Sequence, residues 1–274
     1  MRKMLTDTLW DVIRSHVRPA GRRRCGAKPQ VSDRVFLEAL FYIARTGCPW
    51  RDLPAQFGAW DAAYNRFRRW VANGRLRRLF LAATEKPELG ELPRLLIDST
   101  IVRAHQHAAG APRKKRAKGP TPRRRPKASA PAVGGESSKI IAIVSDENTV
   151  IDFDVAPGQR HDATLLEPLL AKAQRRVQEV EELVGDKGFD GRPQRAACLD
   201  RGVMPMIPGR SNQVEPAEVY PEAYKQRNKI GRLFGKMKHF RRAATRYDKL
   251  KSTYKGILNV VFAFLRTRAI VNRT

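Results

Sequence analysis

The spacing of apolar residues changes character part-way along this 274-residue chain, and that change limits its fold more than any other feature. Up to about residue 80 the apolar residues recur at helical intervals. Leu9, Trp10, Val12 and Ile13 form one stripe, and Val35, Leu37, Leu40, Phe41 and Ile43 form a second. Tyr64, Phe67 and Trp70 form a third, beside Arg66, Arg68 and Arg69. Thr6-Asp7 and Ser32-Asp33 supply N-caps, and Gly47 follows the end of the second helix. From Leu92 the pattern becomes short apolar runs. Leu95-Leu96-Ile97 stops at Asp98, Ile140–Val144 and Val150–Val155 flank the turn Asp146-Glu147-Asn148, and Leu183-Val184 leads to Gly185-Asp186. Helical stretches at Ala163–Glu182 and Asp190–Arg201 and the short run Met204–Ile207 complete the middle of the chain. A helix over Tyr220–His239 and a last one carrying Leu258, Val261, Phe262 and Leu265 follow. The expectation is an α/β fold, a mixed sheet flanked by helices, preceded by an all-helical module. The boundaries fall at 1–85 for the helical module and 92–274 for the sheet domain.

Between the first two strands lies Ala111–Ala132, with nine Lys or Arg, no acid and five prolines. Such a segment cannot form a core, so a basic, Pro-rich insertion is expected at 110–133. The charge continues at the C-terminal end, where residues 223–274 hold 15 Lys or Arg against one acid, Asp248. Over the whole chain, 54 basic residues face 27 acidic ones, a formal net charge of +27. Lys and Arg in that surplus displace the counterions condensed on a polyphosphate, so nucleic acid is the expected partner. The helix with Arg66 and Arg69 fits both a helix-turn-helix-like DNA-binding module and a helical cap with a solvated basic face.

Other classes are disfavoured. Three scattered cysteines (Cys25, Cys48, Cys198) make neither a disulfide framework nor a zinc site. The longest strongly apolar run, Gly256–Leu265, is about half of what a membrane span needs. The first residues, Met1-Arg2-Lys3-Met4-Leu5, lack the apolar centre of a signal peptide, so a cytoplasmic protein is expected. His105 and His107 alternate, but no third soft ligand stands close by in sequence, and no phosphate loop for ATP is present.

Asp98 and Asp186 both follow apolar strands, and carboxylates at neighbouring strand ends can hold hard divalent cations. Several stretches add to this pair. They are Asp98-Ser99-Thr100, Pro157-Gly158-Gln159-Arg160-His161-Asp162, Gly185-Asp186-Lys187-Gly188-Phe189-Asp190 and the block Tyr224–Lys249. With Cys48-Pro49-Trp50-Arg51-Asp52-Leu53-Pro54 they resemble, in order and over essentially the whole chain, DDE transposases of the insertion-sequence-5 family. The resemblance implies an RNase H-like catalytic domain, Mg2+-dependent cleavage at transposon ends (Mn2+ substituting) and strand transfer into target DNA. It also implies a homodimer or larger synaptic complex on double-stranded terminal repeats, in a bacterial, nucleoid-associated setting.

By that resemblance Asp98 and Asp186 are the first two acids of the triad and metal ligands, with His161 in support. The third acid belongs to a pattern of Tyr, two residues, Arg, three residues, Glu, six residues, Lys. Tyr224, Arg227 and Lys238 occupy its positions here, and Gly231 stands where the Glu belongs. A glycine brings no ligand oxygen, so impaired cleavage with DNA binding retained is expected; the alternative is a non-enzymatic DNA-binding protein, an inhibitor of transposition or a domesticated factor. Candidate DNA contacts are Tyr224, Arg227, Lys238, Arg241, Arg242, Arg246, Arg66 and Arg69. In the basic insertion they are Lys114, Lys115, Arg116, Arg123, Arg124 and Arg125.

Overall fold

The computed structural model describes residues 4–17, 31–85, 93–108, 137–177, 179–209 and 219–272. The candidate contacts of the basic insertion, Lys114 to Arg125, lie outside the described residues, as does Cys25. Four helices come first: α1 (Asp7–Val17), α2 (Asp33–Thr46), α3 (Trp60–Ala72) and α4 (Arg75–Ala83). The Ser32 side chain accepts the Val35 N–H, capping α2 as its sequence predicts. At the other end Gly47 takes φ 71°, the left-handed cap that any side chain would strain. The reading of the sequence does not include α4, although Leu76, Leu79 and Phe80 bury its inner face at helical spacing.

The sheet follows as β1 (Arg94–Ala104), β2 (Ser137–Val144) and β3 (Val150–Pro157), then β4 (Glu182–Val184) and β5 (Met204–Met206). Helices α5 (Ala163–Gln174) and α6 (Arg192–Leu199) connect them. The chain closes with α7 (Pro221–Lys225), α8 (Asn228–Lys238), α9 (Arg241–Ala244), β6 (Thr245–Arg246) and α10 (Lys251–Val271). Strand order is β3-β2-β1-β4-β5, with β6 on the far end of β1. Strand β2 runs antiparallel to both β1 and β3, whereas β4 and β5 are parallel to β1. This is the mixed sheet flanked by helices that the sequence leads one to expect. Among the described residues no helix is long and apolar enough to cross a membrane.

Successive side chains of a strand point to opposite faces, so the sheet sorts its residues into two cores. Leu95 and Ile97 of β1, with Ile141 and Ile143 of β2, face α5 and α6. Leu96 and Val102, with Ile140, Ala142 and Val144, face α8, α10 and the N-terminal helices, all in one continuous cluster. Helix α10 lies inside that cluster. Its residues from Tyr254 to Leu265 are buried on every side apart from Lys255, as expected of a helix apolar all round. Gly256 admits α3 to it, since a Cβ there would come within 2.6 Å of Val71 Cγ2.

Three boundaries differ from those expected. Strand β1 does not stop at Asp98 but runs on to Ala104, because Ser99–Arg103 continue the pairing with residues 137–141 of β2. The helix expected at Ala163–Glu182 ends at Gln174, ahead of β4. The helix expected at Tyr220–His239 is broken between Lys225 and Asn228, which leaves Arg227 at the N-cap of α8.

On β3, the Asp154 carboxylate ties the sheet edge to two helices, accepting from Lys251 at 2.8 Å and Lys255 at 3.2 Å, with Lys172 at 3.7 Å. Burial alone would raise its pKa, but Lys251 and Lys255 outweigh that and hold it down at about 2. Its contribution to stability is therefore complete above the ordinary aspartate value of about 3.9 and is lost as pH falls towards 2. In thermal melts, Asp154→Asn is expected to flatten the loss of stability across that window; an unchanged profile would contradict it. Separately, Gly47→Ala is expected to cost about 1–2 kcal/mol in chemical denaturation, the penalty of a left-handed alanine.

Candidate active site

Register brings the two sequence-predicted acids side by side. Leu96 of β1 is level with Val184 of the parallel strand β4, so two residues on, Asp98 and Asp186 lie next to one another. Asp98 sits within β1, opposite Ala142 of β2, on the face that packs against α8. Asp186 begins the loop after β4, where its Oδ1 accepts the Gly188 N–H at 2.8 Å.

One guanidinium joins them. Arg227 Nη2 donates to Asp98 Oδ2 at 3.1 Å and lies 3.4 Å from Asp186 Oδ2. Burial raises the Asp98 pKa and Asp186 adds to this, while the Ser99 N–H and Arg227 act against it. Burial also opposes the charge on Arg227, yet Asp98, Asp186 and Tyr224 together raise its pKa overall. The cluster is therefore Tyr224, Arg227, Asp98 and Asp186, in which one positive charge offsets two negative ones.

Helix α8 presents this arginine at a fixed height. Arg232 and Lys236 both pair with Glu147 in the β2–β3 turn, Lys236 at 2.9 Å, and these contacts lower the Glu147 pKa. Gly231 lies one turn beyond Arg227 on the same side of α8. It is exposed, and a Cβ built on it meets no atom within 4 Å. A glutamate fits this position sterically.

His161 is exposed in the turn before α5, and its backbone carbonyl accepts the Thr164 hydroxyl. Its neighbour Asp162 lies closer to the acids. That carboxylate binds Lys139 Nζ at 2.6 Å, and its Oδ2 lies 3.7 Å from the Cβ position of Gly188. The sequence offers no signal that ranks Asp162 above His161, because Lys139 reaches it only through the pairing of β2 with β3.

The basic candidates divide by burial. Lys238, Arg241 and Arg69 are exposed. Arg66 is not a surface residue: it is 8% exposed, ion-paired with Asp33, bonded to Val31 O at 2.7 Å and laid over Phe36. Arg242 is likewise buried, pairing with Asp248 and donating to Cys48 O. Arg246 clamps Ser138 Oγ and the carbonyls of Asp248 and Lys249, each at 2.9 Å. Removing Arg66 or Arg242 would strand a buried carboxylate, so both are fixed inside the fold, while Arg246 is half-buried. The sequence did hold a hint for Arg66, which shares the apolar face of α3 with Trp70 four residues on.

The donor set limits what the acids can bind. Carboxylate oxygens suit a hard divalent cation. Among the described residues, no group of three or more His, Cys, Asp or Glu side chains converges. Asp98 and Asp186 offer carboxylate oxygens that fit one such cation, in the place where the guanidinium now sits.

Comparison with known proteins places the chain in a family. A family model described as "Putative transposase of IS4/5 family" matches residues 5–80, and two described as "Transposase DDE domain" match residues 90–216 and 183–266. A protein of Sinorhizobium fredii named "Uncharacterized protein y4sN" is 42% identical over 111 residues, which cover 40% of this chain and 85% of that one. A 16.2 kDa protein of insertion element IS402 from Burkholderia cepacia is 33% identical over 111 residues, covering 38% of this chain and 75% of that protein. Among solved structures, a piggyBac transposase synaptic complex with hairpin DNA aligns with 98% of this chain and 74% of its own at 12% identity (TM-score 0.45). The Mos1 strand transfer complex aligns with 92% and 79% at 14% identity (TM-score 0.36). The chain belongs to the IS4/5 family of DDE transposases.

Proposed function

We propose that this DNA transposase binds transposon ends and target DNA through its basic surface while its cutting chemistry is impaired at position 231. The observation that carries the reading is the pairing of Asp98 and Asp186 by Arg227, with Gly231 one turn along α8. Family membership points to a divalent cation, and Mg2+, with Mn2+ as its substitute, is the one proposed for Asp98 and Asp186. When bound, the cation polarises the scissile phosphate and favours attack by water or by a DNA 3′ hydroxyl. This chain's own residues hold and orient the DNA. Arg227, freed from the two carboxylates, offers a planar fork to a phosphate, and Lys238 a point charge. Tyr224 directs Arg227 through its phenol. The helical module at 1–85 contributes Arg69 to the DNA surface, and two protomers hold two ends.

Such a site keeps its substrate in place yet lacks the third carboxylate. In an assay with duplexes carrying the element's own ends, in Mg2+ or Mn2+, the chain is expected to cut at least ~100-fold more slowly than its Gly231→Glu variant, a loss on the scale of perturbing a metal centre. Vigorous cutting by the chain as it stands would overturn the impairment. Failure of Gly231→Glu to cut, with binding retained, would favour the non-enzymatic DNA-binding reading that Gly231 also suits. Helix propensity gives a separate check on the variant, which should be more stable by about 0.5–1 kcal/mol.

Arg227→Gln leaves the two carboxylates facing one another without their shared cation. The expected cost in urea denaturation is about 1–2 kcal/mol near pH 7, discounted for partial exposure. That cost should shrink as pH falls, because Asp98, raised by burial, takes up a proton ahead of an ordinary aspartate and relieves the repulsion. A cost that grows on acidification would contradict the bridging role.

A further inference from the structure

The cations of the C-terminal helices are not all neutralised alike. Arg232 and Lys236 pair with Glu147, and Lys251 and Lys255 with Asp154. A separate group has no such partner. Between the C-terminal end of α2 and the junction of α8 with α9 lies a concave space of about 550 Å3, lined by Arg45, Thr46, Lys238, His239 and Arg241. Its basic side chains are all exposed, and no acid lines it. Among the described residues, Arg45, Lys238 and Arg241 make no ion pair. Arg45 is directed by Phe240 instead, its guanidinium 5.8 Å from the ring centre.

The frame around this space is fixed. A Cβ on Gly47 would lie 3.1 Å from the Arg241 Cβ, so the cap of α2 rests directly on the start of α9. Next to it the buried Arg242 ties α9 to Cys48 O and to Asp248. Arg45 and Arg241, from opposite ends of the chain, are thus held in one cleft. Lys238 follows Arg227 by eleven residues of α8, or about 16 Å at the helical rise. One duplex strand presents a phosphate every 3.4 Å or so along its axis, so a duplex reaching the Asp98–Asp186 pair also reaches the cleft about five base pairs away.

We propose that this cleft is a phosphate-backbone grip, in which Arg45, Lys238, His239 and Arg241 jointly hold a duplex that enters the acid pair. The inference rests on the DNA-binding reading above and adds to it a site built across both halves of the chain. Cations clustered without a lining acid match phosphates, which offer negative charge.

The test is the salt dependence of binding to a duplex of about thirty base pairs, comparing the chain with Arg45→Gln/Arg241→Gln and with Arg45→Lys/Arg241→Lys. Each phosphate contact contributes about 0.9 to the slope of log affinity against log salt, so the Gln pair should lower its magnitude by about 1.8 and the Lys pair should retain it. The Lys pair also controls for folding, since it keeps the charge and the stems. A slope unchanged in the Gln pair overturns the grip, as it would if an acidic protein were the occupant, and leaves the DNA-binding reading standing. Failure of the unaltered chain to bind the duplex at any salt overturns both.

Discussion

Everything at the site depends on two like charges being held next to one another. Adjacent parallel strands set Asp98 beside Asp186, and in a partly desolvated position their repulsion requires an opposing charge. Arg227 supplies it, donating to one carboxylate and lying 3.4 Å from the other. Arg227 is at the N-cap of α8 because the preceding helix breaks at Lys225, and α8 is fixed in turn by Arg232 and Lys236 on Glu147. The hairpin turn thereby helps to set the position of the guanidinium. Arg227 thus holds the same carboxylate oxygens that a divalent cation would need.

The two halves of the chain are not joined by a simple tether. Helix α10 is buried between the sheet and helices α1 to α4, and its burial on nearly every side explains why a C-terminal segment so basic overall has so apolar a centre. The cap of α2 rests on α9, and Arg242 reaches Cys48. Basic residues near these junctions serve two ends: Arg66 and Arg242 hold the structure together from inside, while Arg45, Lys238 and Arg241 remain on the surface.

Much of this was legible in the sequence, for identifiable reasons. Apolar periodicity located α1, α2, α3 and the β2–β3 hairpin, because each buries one face and so carries a clean repeat. Ser32 and Gly47 marked the ends of α2 through their own chemistry. The extent of β1 was not legible, since Ser99–Arg103 alternate weakly and are defined by their partners on β2. The buried state of Arg242 was hidden because Asp248, its partner, becomes a neighbour only through the turn of α9 into β6. At the site, Asp98 and Asp186 stood out after apolar runs, whereas Gly231 entered only through the family resemblance. The bridging by Arg227 could not be read from the sequence, because it requires the register of β1 with β4 and the break before α8 together.

On the proposed function, position 231 leaves the acid pair one ligand short. Counting Mn2+ bound per chain by electron paramagnetic resonance, on the full chain with duplex DNA present, measures this without relying on turnover. At most one ion per chain is expected in the native protein, bound in competition with Arg227, and a second only when residue 231 carries a carboxylate. Two tightly bound ions in the native chain would contradict it.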